Sequence, residues 1–175
     1  MSRKVAGCGM LIALAMVFSY VEVLIPINFG IPGMKLGAAN LVIVIGLYLL
    51  KPQEVLMISM IRIFLMGYMF GNGVSLLYSF AGGILSFLLM AVIRKMKGFS
   101  VVGVSIIGGV SHNIGQLLAA AWIIRNRNLF YYLPALLAAG TATGALIGIL
   151  SGKILHVVEL SLIHISEPTR LALIS

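Results

Sequence analysis

Apolar runs long enough to cross a bilayer recur along this chain, and nothing else in it restricts the fold so strongly. A hydrocarbon core about 30 Å thick takes roughly 20 apolar residues per helix. The sequence offers six such spans: Gly9 to Pro26, Leu36 to Leu50, Glu54 to Phe70, Val74 to Ile93, Val101 to Ile124 and Leu129 to Leu155. The second is short and needs help from its flanks. With 61% hydrophobic and 9% charged residues over 175 positions, too little polar surface remains to wrap a soluble globule. Only helices and closed barrels satisfy their backbone groups in lipid, and continuous rather than alternating hydrophobicity selects helices. The expected fold is an all-α integral membrane bundle of about six transmembrane helices, with short connections and no separate soluble domain.

Orientation follows from the cations, because Lys and Arg accumulate on the cytoplasmic side. With both termini cytoplasmic, Arg3, Lys4, Lys51, Arg94, Lys95, Lys97 and Lys153 lie inside and Lys35, Arg125 and Arg127 outside. The expected location is the cytoplasmic membrane, crossed several times. The formal charge of +8 is then topogenic bias and contact with anionic headgroups of the lipid bilayer, and no nucleic-acid partner is expected. The first span is not a secretion signal, since no small-residue cleavage site ends it and Cys8 precedes the apolar run. Cys8 is the single cysteine, which excludes intrachain disulfides.

The last segment, LSLIHISEPTRLALIS (Leu160 to Ser175), reads differently. Leu160 to Arg170 matches, codon for codon, a translation of a common transposon-type sequencing adapter. The expected organisation is one polytopic membrane domain over 1–159, followed by a translated adapter over 160–175. His164, Glu167 and Arg170 are accordingly given no role.

Within the spans a few polar groups stand out. GGVSHNIGQLL (Gly108 to Leu118) sets His112, Asn113 and Gln116 inside an apolar run, and spacings of three and four put Gln116 on the same side as both others. Counting 1.5 Å of rise per residue puts Glu22 near the outer end of the first span, Lys35 and Asn40 near the outer start of the second, and Arg62 near the middle of the third. An ionisable group inside a membrane is costly unless paired or facing a cavity. A water-accessible pocket opening outward would account for all of these groups together. Hydrogen bonding between helices, or a structural Arg62–Glu22 pair, would account for them separately. Tyr131 and Tyr132 read as an interfacial belt. Gly140, Gly144, Gly148 and Gly152, four apart, line one face of the sixth span with backbone and suit close packing inside the bundle, or a contact with a partner.

Enzymatic sites find little support. The chain contains no Asp, and its carboxylates are Glu22, Glu54, Glu159 and Glu167. It cannot build the aspartate-rich magnesium site of a prenyl-diphosphate synthase alone. No P-loop is present, and His112 and His156 lack zinc-site spacing. No catalytic residue, metal or cofactor is expected.

ALAMVFSYVEVLIP, IPGMKLGAANLVIVIGLYLL, IRIFLMGYMFG, AGGILSFLLMAVIRK and GVSIIGGVSHNIGQLLAAA resemble the small bacterial membrane family called Gx transporters, also labelled heptaprenyl diphosphate synthase component I. The resemblance covers nearly all of Met10 to Leu155. More distantly, six short helices beginning with a span rich in small residues resemble the substrate-binding S components of energy-coupling factor vitamin transporters. That resemblance implies a coupling subunit and ATPases as partners, with Ala13 and Ala15 as docking contacts. It also implies a small-molecule substrate site formed by Glu22, Lys35, Asn40, Arg62, His112, Asn113 and Gln116. The family's other label implies instead an accessory subunit of polyprenyl-diphosphate or quinone metabolism.

Overall fold

The computed structural model of the protein describes residues 2–24, 37–71 and 73–171. They form six helices: α1 (Ser2–Leu24), α2 (Asn40–Leu49), α3 (Pro52–Phe70), α4 (Gly73–Ile93), α5 (Val101–Ile124) and α6 (Leu133–Leu171), with a 3₁₀ turn (Arg127–Tyr132) leading into the last. All except α2 are long and apolar enough to cross a bilayer. The protein is an integral membrane helical bundle. Leu14, Phe64, Leu88, Leu118 and Leu146 all point outward, an arrangement that water would penalise and hydrocarbon does not.

Local chemistry explains the helix ends. Pro52 opens α3, where its missing N–H is not needed, and the Glu54 carboxylate accepts the Lys51 backbone N–H at 3.1 Å. Ser100 caps α5 by accepting the Gly103 N–H at 3.2 Å. Arg125 stops the same helix in a left-handed conformation (φ 54°). The second span differs from its expectation, because the helix begins at Asn40 rather than Leu36. Gly37 takes φ +71° and starts a turn over Ala38 and Ala39. The remaining 10 residues extend only about 15 Å at 1.5 Å each, roughly half of the hydrocarbon thickness.

Short as it is, α2 lies at the centre. Its sequence NLVIVIGLYL is apolar on every side, as suits a helix packed all round. Ile43, Val44 and Leu47 meet Val55 and Ile58 of α3, Phe87 and Met90 of α4, Val104 of α5 and Ile147 of α6 in one core.

Glycines set the closest approaches. A Cβ on Gly109 would lie 2.5 Å from the Gly140 carbonyl oxygen, and one on Gly144 would lie 2.7 Å from the Ile106 Cα. Gly148 faces Val102 in the same way. The glycine stripe of α6 therefore packs inward on α5, except at Gly152, where an added Cβ meets nothing within 4 Å. Between α4 and α5 a second close contact forms, with Gly115 against the Ala81 carbonyl and Gly82 against the His112 carbonyl. Some hydroxyls bond to backbone: buried Ser86 Oγ donates across to the Gly108 carbonyl at 2.8 Å, and half-buried Thr143 Oγ1 donates to the Ala139 carbonyl at 2.9 Å. Such bonds accommodate polar side chains without water, whereas the buried Ser151 Oγ has no partner among the described residues.

Candidate functional site

At one end of the bundle α1 and α3 finish and α2 and α4 begin, with α5 contributing to the same cavity. These ends enclose a cavity of about 110 Å³. Its lining includes Glu22 in the last turn of α1, Asn40 at the start of α2, Arg62 in the middle of α3, and His112, Asn113 and Gln116 of α5. Six side chains singled out from the sequence are thus brought together around one chamber. Lys35 lies outside the described residues. Ser19, Ser75 and Ser79 add hydroxyls, and Met66 and Phe70 add apolar surface. Sequence reading missed these five, although Ser19, three residues before Glu22, shares its helix face and was within reach of that argument.

Each polar group is held in its own way. Glu22 Oε1 accepts the Ala38 backbone N–H at 2.9 Å, which ties the end of α1 to the turn before α2. Arg62 reaches across to Ser19, whose Oγ accepts from Nη1 at 3.4 Å, a long bond. The Arg62 Nε is buried with no hydrogen-bond partner. Asn113 is mostly buried, and its Nδ2 donates to the Leu136 carbonyl of α6 at 2.8 Å. Its amide therefore joins two helices as well as facing the chamber. Gln116 is partly exposed and has no hydrogen-bond partner among the described residues. His112 and Gln116 sit opposite Gly82, where a Cβ would lie 2.8 Å from the Gln116 Cγ. The missing side chain on α4 is what lets α5 present them at this depth.

A smaller void of about 20 Å³ continues from the chamber between α2, α5 and α6. It shares Gly37, Asn40, His112 and Asn113 with the chamber and adds Ser105 and Thr143. That is room for about one water molecule.

Of the two alanines named as docking contacts, Ala15 is fully buried. Positions 15, 19 and 22 follow the i, i+4, i+7 pattern of one helix face, so Ala15 points inward with Ser19 and Glu22. Ala13, two residues away and about 200° around the helix, stays exposed. Among the described residues no three His, Cys, Asp or Glu side chains come together as a metal site would require.

Fold and chamber together define a multi-pass helical membrane protein with a polar cavity near one end. The chain belongs to the family described as heptaprenyl diphosphate synthase component I, which it matches over residues 11–154. No curated protein matches the chain, and no solved structure does.

Proposed function

We propose that this protein is a membrane-embedded binding subunit that takes a small polar molecule bearing an acidic group into the chamber. The observation that carries this reading is the convergence of Glu22, Asn40, Arg62, His112, Asn113 and Gln116, from four helices, on one cavity in an otherwise apolar bundle. Arg62 supplies the positive charge, and its buried Nε is a donor without an acceptor. A carboxylate or phosphate there would make a charge-assisted bond, stronger than a neutral one. The asparagine, histidine and glutamine would fix orientation.

The chamber lies at the opposite end from Lys51, Arg94, Lys95 and Lys97, and the positive-inside bias turns it outward from a cytoplasmic membrane. Uptake from outside is the activity this arrangement suits. With no P-loop in the chain, the energy would come from a transmembrane coupling subunit and ATPases. The test is mass spectrometry of small molecules retained by the purified protein. One enriched acidic species that raises thermal stability when added back is the expected result; repeated preparations that retain none would count against the reading.

The orientation has its own check. In a Cys8→Ala background, single cysteines placed at Ser2 or Lys97 are expected to resist an impermeant thiol reagent in intact cells, and one at Asn126 to react. Labelling of the Lys97 position from outside would overturn the arrangement.

The family description favours a second reading, an accessory subunit for making a polyprenyl diphosphate, and it supports this more directly than it supports uptake. A chain without Asp would leave the magnesium-dependent chemistry to an Asp-rich soluble partner. Deleting the gene separates the two readings. Loss of long-chain prenyl products with uptake intact would favour the accessory role, and the reverse would favour capture.

A further inference from the structure

A broad groove of about 1020 Å³ opens at the end of the bundle opposite the chamber. Cys8 and Leu11 of α1, Ala91 of α4, and Leu49 and Leu50 at the α2–α3 corner line it. The surface is continuous with the lipid-facing exterior, since Met10 on one rim is 69% exposed and Leu49 is 48% exposed. Lys51, Arg94 and Lys95 stand along it. The Arg94 guanidinium is held over the Tyr48 ring, 5.1 Å from its centroid, an attractive cation–π geometry that fixes its place. The single carboxylate here, Glu54, is already engaged by the Lys51 backbone N–H and caps α3. The groove therefore combines apolar walls with an excess of two positive charges.

We propose that this groove holds an anionic phospholipid, with its phosphate against Lys51, Arg94 and Lys95 and an acyl chain along Leu11, Leu49 and Ala91. A soluble anion would satisfy the cations and leave the apolar walls unused. A zwitterionic lipid would fill the walls and leave the charge excess uncompensated. Only an amphiphile with a net negative head matches both, and the cytoplasmic leaflet supplies it at the level where this cationic end would sit.

Cys8 lines the groove and is the single cysteine of the chain, so its alkylation reports occupancy. The experiment measures N-ethylmaleimide modification of the full chain in detergent micelles doped with phosphatidylglycerol or with phosphatidylcholine of the same acyl chains. Phosphatidylglycerol is expected to slow modification about five-fold or more, the effect of even one effective basic contact with an anionic headgroup. Phosphatidylcholine is expected to have little effect. The protection should disappear in the Lys51→Gln/Arg94→Gln/Lys95→Gln variant and weaken in Arg94→Gln alone, which keeps the measurement usable if the triple variant does not fold. Equal protection by both lipids, or protection unchanged in Arg94→Gln, would overturn the proposal. Protection by inorganic diphosphate alone, or by a polyprenyl diphosphate at lower concentration than phosphatidylglycerol, would assign the groove to another ligand and overturn it too.

Discussion

Replacing Arg62 with leucine is expected to abolish ligand-dependent stabilisation while leaving the bundle inserted and folded. Within the bundle Arg62 makes a 3.4 Å bond to Ser19, attracts the Glu22 carboxylate and keeps a buried Nε with no acceptor. Removing that Nε also removes an unsatisfied buried donor, a burden of about 1 to 3 kcal/mol. For the ligand the balance is reversed, because truncating one partner of a buried charged pair costs about 2 to 5 kcal/mol. Affinity should therefore fall at least about 30-fold, by the factor of ten per 1.4 kcal/mol.

Gln116→Leu is the companion test, because Gln116 has no hydrogen-bond partner among the described residues and should lose binding at little structural cost. Asn113→Leu discriminates less well. It also breaks the bond to Leu136, worth about 0.6 kcal/mol by analogy with other membrane helices. Thermal unfolding in detergent, with and without the retained molecule, reads all three variants. Unchanged stabilisation in both Arg62→Leu and Gln116→Leu would mean that these groups only hold the helices together.

The second large effect is expected at Gly144. An alanine there would set its Cβ 2.7 Å from the Ile106 Cα and 2.8 Å from the Ser105 carbonyl oxygen. Both are backbone atoms, and no rotamer change relieves the clash. Forcing α5 and α6 apart is an overpacking cost of about 1 to 3 kcal/mol or more. Gly152→Ala is the control, since it belongs to the same four-residue repeat yet meets nothing within 4 Å. It should be neutral or slightly stabilising, because alanine favours helix over glycine by up to about 1 kcal/mol. Equal effects at the two positions would show that the repeat acts through helix propensity rather than through the contact with α5.

The helices were legible in the sequence because apolar run length is a local property that the bilayer enforces directly. The start of α2 was not, because it depends on the left-handed Gly37 and on Glu22, sixteen residues earlier, accepting the Ala38 N–H. The chamber residues could be grouped by depth alone, since rise per residue is fixed and their helices alternate in direction. The split role of Asn113 could not, because it depends on Leu136 being the neighbour. Ala13 and Ala15 are equally small, and what separates the exposed residue from the buried one is rotation about the helix, which composition does not carry.

The glycine contact between α5 and α6 makes one wall of the chamber stiffer than the other. Where backbone lies against backbone there is no side chain to rotate, so a small displacement loses the contact outright, and α4, pinned to α5 at Gly82 and Gly115, must follow. These helices form a stator that carries His112, Asn113 and Gln116. Opposite them, α1 bears Glu22 and Ser19 and rests on the core through the side chains of Cys8, Leu11 and Ile12. If the chamber takes a ligand as proposed, the frame leaves α1 as the wall to give way, at the expense of the Glu22–Ala38 bond.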